Sequence, residues 1–224
     1  MKNTKMDSRV AATLARLHRE AGRQEWKLVL GFLGDLPRFV AGKGVKWKPA
    51  RAGFLKDKYI AIDREQGEFL YMLARMHRAR SVLEFGTSFG ISTIYLAAAV
   101  RDNGGGMVYG TEFEPEKAKA ARSNIEEAGL SEFVSIIEGD ARQTLKRFDK
   151  DIDLALIDGY PIYNLEVLQL IEKRLKKGAI VFSDDIKMFQ EDLKPYVEYV
   201  SAPDSGYSSL ELKINGGSLL AIRN

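Results

Sequence analysis

The sequence predicts an α/β fold in which a mostly parallel sheet carries helices on both faces, with an antiparallel hairpin at its end and a helical extension over residues 1–60. Three observations predict it. Ser81 to Thr93 reads as a strand, a tight glycine turn and a helix: Val82, Leu83 and Phe85 form a short apolar run, Gly86 stops it, and Ile91, Ile94, Tyr95 and Ala98 recur at helical spacing. Short runs of strand formers then alternate with helical stretches as far as Val200. Finally, Asn215-Gly216-Gly217 separates two strand-like runs, which is a hairpin signal.

The Ser81–Thr93 stretch has the form of a ligand-binding turn. Such a junction turns backbone N–H groups and a helix N-terminus toward a ligand, and glycines permit close approach. Gly86 and Gly90 supply the bare backbone. Glu84, two residues before the first glycine, can accept from a ligand cation or fix the turn's own N–H groups. Gly86-Thr87-Ser88-Phe89-Gly90 matches the spacing of a hydrolase nucleophile elbow, but that chemistry needs a histidine after the serine. Both histidines, His18 and His77, precede it. The dinucleotide fingerprint fails as well, because serine and isoleucine stand at positions 88 and 91 where it requires glycine. What remains is Glu-x-Gly-x-x-x-Gly.

At 224 residues and 45% hydrophobic, the chain can bury one substantial core with an appendage. It has no cysteine, which removes disulfides and thiolate metal sites. The longest apolar stretch near the N-terminus, Leu28 to Leu33, is too short to span a bilayer, so the expectation is a cytoplasmic protein without a membrane partner. Charge is uneven: residues 1–60 carry 14 Lys or Arg against 5 Asp or Glu, a net of +9, and the remainder nets −6. The basic residues lie among apolar ones, as on a solvated helical surface, so a nucleic-acid contact is not expected.

Taken in order, residues 7–22 place Val10, Leu14 and Leu17 on one helical face, ending near Gly22, and a second helix is predicted from Gln24 to Phe39, broken by Gly31, Gly34 and Pro37. Loops follow, with Trp47 and Phe54 as docking aromatics. These residues do not make a core alone, and they predict a lid over the active face, a homodimer contact, or both. From residue 61 the main domain begins: Asp63 and Gln66 open a helix to His77 with a capping-box-like start, and the glycine turn comes next. Strands are expected at Met107–Thr111, Phe133–Ile137, Ile152–Ile157, Ala179–Phe182, Ser208–Ile214 and Ser218–Ile222. Between them, helices are expected from Pro115 to Gly129, from Asp140 to Phe148, from Tyr163 to Lys177 (closed by Gly178) and from Lys187 to Val200.

Acidic residues gather where those strands end. Glu84, Glu112, Asp140, Asp158, Asp184 and Asp185 all fall at or near carboxyl ends, the ligand-binding side of an open α/β sheet. Glu112 follows the second strand, where its oxygens can accept from both hydroxyls of a ribose. Asp140 is positioned to cap the helix after the third strand.

The order Val-Leu-Glu-Phe-Gly, Tyr-Gly-Thr-Glu-Phe-Glu-Pro, Gly-Asp-Ala, Leu-Ile-Asp-Gly and Phe-Ser-Asp-Asp, over about residues 60–224, resembles the class I S-adenosylmethionine-dependent methyltransferases. Within them it is similar to the catechol and caffeoyl-CoA O-methyltransferase group and its bacterial relatives. The resemblance implies a Rossmann-like seven-stranded sheet, S-adenosylmethionine as cofactor and methyl transfer to a small hydroxylated acceptor. It implies cofactor contacts at Ile62, Glu84, Gly86, Ser88, Gly90, Ser92, Glu112, Phe113, Gly139, Asp140, Ala141, Asp158 and Tyr160. It also implies a Mg²⁺ or another divalent cation on Asp158, Asp184 and Asp185, with Asp158 as the one candidate catalytic residue.

Two departures stand out. The family's Asp-Asn pair is Asp184-Asp185 here, and its lysine base, three residues after the first metal aspartate, is Pro161. Proline cannot take a proton. Lys187 and Tyr160 are the nearest titratable substitutes in sequence. The alternatives are an RNA or protein methyltransferase, suggested by the basic first sixty residues, and a non-catalytic binding protein that keeps the fold, suggested by Pro161. The Asp-Gly-Tyr-Pro turn at 158–161 lacks the Asp/Asn-Pro-Pro-aromatic pattern of base-amino methyltransferases.

Overall fold

A computed structural model describes residues 6–60, 62–214 and 216–224. The elements are α1 (Ser8–Phe32), α2 (Leu36–Val40), α3 (Pro49–Leu55), α4 (Arg64–Met76), β1 (Ser81–Phe85), α5 (Ile91–Asp102), β2 (Met107–Glu112), α6 (Pro115–Glu127), β3 (Val134–Glu138), α7 (Ala141–Thr144), β4 (Ile152–Ile157), α8 (Asn164–Ile171), β5 (Leu175–Ser183), α9 (Gln190–Ser201), β6 (Tyr207–Leu212) and β7 (Ser218–Arg223). One seven-stranded sheet has the order β3-β2-β1-β4-β5-β7-β6. Strands β1 to β5 run parallel, and β7 lies antiparallel between β5 and β6. The order reverses beside β1, so a crevice opens at the carboxyl ends of β1 and β4.

The central strands β1, β4 and β5 are buried on both faces, as their apolar runs require, while the edge strands β3 and β6 are partly exposed. One core joins Leu70, Ile94 and Leu96 to Val82, Leu154 and Phe182. The other joins Leu83, Ile157 and Val181 to Val167, Leu168, Leu193 and Tyr196. Asp63 caps α4 by accepting from the Gln66 N–H at 2.7 Å.

Several boundaries differ from expectation, and the helix expected from Tyr163 to Lys177 ends at Ile171 with a 3-10 turn to Arg174, so Gly178 does not close it. Helix α1 runs through Gly22 to Phe32, because an exposed interior glycine costs only about 1 kcal/mol against alanine and its neighbours are helix formers. Gly31 is also inside the helix, where its missing Cβ leaves room for the Phe54 ring, which a Cβ would meet at 2.3 Å. Strand β5 begins at Leu175 and includes Lys176 to Gly178, and the pairing with β4 shifts register between Ile152 and Leu154 to accommodate it. Helix α9 begins at Gln190 because Asp185 to Phe189 form a turn closed by the Phe189 N–H on the Asp185 carbonyl at 3.0 Å. The hairpin's Asn215 lies outside the described residues.

The first sixty residues divide in two. Val10, Leu14 and Leu17 are part of the main core, and Arg9 donates to the Glu126 and Glu127 carbonyls at 2.8 and 2.6 Å. The second half of α1, with α2 and α3, leaves the core and extends over the carboxyl ends of the strands. Among the described residues, no helix is long and apolar enough to cross a membrane.

Candidate active site

A cleft of about 760 Å³ lies at the strand ends, between a polar floor and an apolar roof. The floor starts at Gly86. Its φ of +99° is open to glycine, and a Cβ there would sit 2.4 Å from the Asp158 carbonyl oxygen. The turns after β1 and β4 therefore touch backbone to backbone, and the Asp158 N–H donates to the Phe85 carbonyl at 2.9 Å. This contact sets Asp158 beside the glycine turn.

The two strand-end glutamates do different work. Glu84 is fully buried and accepts from Thr87 Oγ1 at 3.0 Å, Ser92 Oγ at 2.5 Å and Thr93 Oγ1. Burial pushes its carboxyl up, and the three hydroxyls oppose that shift. It fastens the turn to the first turn of α5 and does not line the cleft. Glu112 does line it, accepting from the Ser88 N–H at 2.7 Å and the Glu114 N–H at 2.8 Å. Burial raises its pKa too, offset by those N–H groups and by Lys117. A carboxylate offers about four acceptor positions, so two remain for a ligand.

The other expected cofactor contacts divide between the cleft and its edges. Ser88, Phe113, Gly139, Asp140, Ala141 and Tyr160 line the cleft. Ile62 and Ser92 border a narrow hollow that shares Ile60, Gly86, Ser88 and Asp158 with it. Gly90 lies behind, as the left-handed N-cap of α5 packed near Ala121. Asp140 caps α7 through the Arg142 N–H at 2.9 Å and holds the Arg142 guanidinium at 2.7 Å, which keeps its carboxyl low.

The aspartates converge. Asp158, Asp184 and Asp185 each offer a carboxylate oxygen, and these atoms lie within 4.8 Å of one another. Burial raises all three pKa values, that of Asp185 to about 7, and repulsion between the aspartates adds to the rise at Asp158 and Asp185. Asp184 also accepts from Ser218 Oγ at 3.1 Å. An all-oxygen set of three crowded carboxylates fits a hard divalent cation, which would relieve the repulsion that crowding creates.

Of the two substitutes for the missing lysine, Lys187 is exposed, pairs with Glu211 at 2.6 Å and does not line the cleft. Tyr160 lines it, but burial pushes the phenol up to about 12. Pro161 opens a short 3-10 turn to Tyr163.

The roof is supplied by Leu28, Val29, Phe32, Leu33, Leu36, Phe39, Trp47 and Leu55. It is tied to the loop after β5, where the Val45 N–H donates to the Met188 carbonyl at 2.7 Å, and to the first turn of α9, where the Trp47 N–H donates to Asp192 Oδ2 at 2.6 Å. Trp47 packs on Tyr160, ring centroids 4.8 Å apart. Inside the roof, a buried Arg51–Asp35 pair at 2.5 Å joins α3 to the turn before α2. Sequence reasoning missed this pair and the cleft-lining Lys117, because neither sits in a motif or on a periodic stripe.

Known proteins share this arrangement. A family model described as a methyltransferase domain matches residues 83–186, from β1 through the aspartate pair. The chain is 35% identical over 128 residues to a catechol O-methyltransferase of Mycobacterium tuberculosis, covering 57% of each chain. It is 31% identical over 131 residues to a catechol O-methyltransferase of Niastella koreensis, covering 57% of this chain and 58% of that one. The match thus spans somewhat over half the length of these curated relatives. The O-methyltransferase from Bacillus cereus in complex with SAH aligns with a TM-score of 0.68 at 26% identity, over 73% of this chain and 83% of that one. With the strand order and the glycine turn already described, these matches show that residues 83–186 resemble a methyltransferase domain and that the fold is similar to that of S-adenosylmethionine-dependent O-methyltransferases.

Proposed function

We propose that this protein transfers a methyl group from S-adenosylmethionine to a hydroxyl of a small molecule, with a divalent cation assisting at the aspartates. The observation that carries the reading is that Asp158, Asp184 and Asp185 converge in the same cleft as Gly86 and Glu112. The cofactor supplies a methyl on a positively charged sulfur, which needs no acid catalysis to leave. What the protein must add is alignment, exclusion of water and an ionised acceptor oxygen.

The cleft divides along the strand order. On the β3, β2 and β1 side, Gly139 to Ala141, Glu112 with Phe113, and the Gly86 turn form the cofactor half, with Glu112 on the ribose hydroxyls. On the β4 and β5 side, the three aspartates form the acceptor half. The basic residues among those lining the cleft, Lys117 and Arg142, are associated with Glu112 and Asp140 on the cofactor side. Acceptor ionisation therefore rests on the aspartates and the ion they would hold, which supplies Lewis-acid lowering of a hydroxyl's pKa. A molecule with two adjacent hydroxyls suits such a site, in line with the names of the two curated relatives. The roof residues 23–58 act as a lid that shields this chemistry, in place of the extended RNA surface their charge suggested. Several of the basic groups in the N-terminal segment are already paired, Arg16 with Glu127, Arg38 with Glu191 and Arg51 with Asp35.

The test is transfer of labelled methyl from S-adenosylmethionine to a panel of mono- and dihydroxylated aromatics and to bulk RNA. Methylation of a dihydroxylated acceptor, with RNA left unlabelled, is the expected result. Label on RNA alone would overturn the reading.

A further inference from the structure

We propose that Lys117 is a second contact to the cofactor's ribose, donating from Nζ to a hydroxyl oxygen whose own proton goes to Glu112. This deepens the cofactor-half reading given above and rests on it. Lys117 sits in the first turn of α6, five residues after Glu112, and is only 5% exposed although it lines the cleft. An ammonium carries three donors and, once water is excluded, strongly prefers to be paired. Among the described residues, Lys117 has neither an ion pair nor a hydrogen bond, where an ion pair would require a carboxylate oxygen within 4.0 Å. Its nearest recorded partner is the face of the Phe89 ring, with Nζ 5.4 Å from the centroid.

The unmet donors lie on the Glu112 side of the site. Of the charges acting on Lys117, Glu112 is the largest favourable one, yet the two groups do not touch. A ligand oxygen that meets both groups would satisfy them together. A ribose hydroxyl that gives its proton to Glu112 still has lone pairs to satisfy once the cleft closes, and a water-excluded acceptor needs a donor. The Phe89 ring lies beside the Lys117 ammonium and is itself stacked on Tyr59, with ring centroids 4.1 Å apart. Arg142, the other cleft-lining cation, is already spent on Asp140.

The test measures binding of S-adenosylhomocysteine by calorimetry for the unmodified protein, Lys117→Met and Lys117→Arg, with the natural ligand and its 2′-deoxy and 3′-deoxy analogues. Unmodified protein that binds the natural ligand upholds the cofactor reading independently of the inference. Lys117→Met should then weaken the natural ligand roughly 10- to 100-fold, the range for a hydrogen bond from a charged donor. It should change affinity less than about threefold for the one analogue that lacks the contacted hydroxyl. Lys117→Arg should recover part of the loss. Thermal melts of the ligand-free variants identify any that fail to fold, and Lys117→Arg then carries the same analogue comparison. Equal affinity in Lys117→Met, or an equal loss for all three ligands, would overturn the contact and leave Lys117 as a charge acting only through Glu112.

Discussion

The floor and the roof of the cleft follow opposite rules. The floor is made of backbone turns and carboxylates at strand ends, and Glu84, Glu112 and the Gly86 turn are fixed by hydrogen bonds of 2.5 to 3.2 Å to neighbouring strands or turns. The roof is made of apolar side chains, several of them half exposed or more, such as Leu33 at 52% and Leu36 at 57%. A polar, rigid floor can place charge with little reorganisation, which is what transfer to an ionised oxygen needs. A loosely packed apolar roof can adapt to the acceptor and exclude water, at the cost of leaving hydrophobic surface exposed without ligand. Chemistry is assigned to the floor and selection to the roof, and mutations on each side should separate them.

The largest effect is expected at the aspartates. Asp158→Asn should lower methyl transfer by on the order of 100-fold or more, because charge stabilisation by a bound cation is worth several kcal/mol. Binding of S-adenosylhomocysteine should change much less, and a parallel loss in binding would move Asp158 to the cofactor half. Next comes Glu112→Ala, expected to weaken cofactor binding by about 1.5 to 3 kcal/mol in calorimetry. Glu84→Gln is its counterpart one strand away: unfolding should show a loss of about 1 to 3 kcal/mol, with cofactor affinity nearly unchanged. If both variants lost affinity alike, the contrast between a buried fastener and a cleft-lining acceptor would fail.

The roof should respond differently. Trp47→Ala should raise the acceptor KM roughly tenfold, the effect of losing about 1.4 kcal/mol of contact, while cofactor affinity stays the same. A drop in kcat with unchanged KM would instead tie Trp47 to the chemistry.

The smallest effect concerns His18, away from the cleft, which bonds Tyr95 Oη at 3.1 Å. Burial and then Arg64 lower its pKa from 6.5. The unfolded chain therefore binds this proton more readily, so the stability from a neutral His18 is full above about pH 6.5 and declines as pH falls toward the lower folded value. Denaturant unfolding of His18→Gln between pH 5 and 7 should show a flatter pH dependence.

The floor was legible in the sequence for a physical reason: a strand-end turn that must approach a ligand or another backbone restricts residue type. Gly86 in its turn, Asp140 at its cap and Glu112 at the end of β2 are such cases, and local pattern sufficed to find them, though not the contact of Gly86 with Asp158. The roof was legible only as composition. Gly22 read as a stop because helix propensity is local, whereas the continuation of α1 is decided by neighbouring helix formers. The Arg51–Asp35 pair spans two turns that only the tertiary fold brings together, and Lys117 reads in sequence like any other helical lysine. Glu84 shows the limit on the floor itself: its place in the strand was clear, but whether its carboxylate faced the cleft or the three hydroxyls of Thr87, Ser92 and Thr93 depended on packing.

Acceptor chemistry on the three aspartates with a divalent cation is tested by labelled methyl transfer to a dihydroxylated aromatic, assayed in EDTA and again after Mg²⁺ or Mn²⁺ is restored, beside Asp185→Asn. Transfer is expected in the presence of the cation, with loss of on the order of 100-fold in EDTA, recovery on re-addition, and a weakened dependence on cation concentration in the variant. Full activity in EDTA would contradict it and leave Asp158, Asp184 and Asp185 as residues that orient the acceptor without a metal.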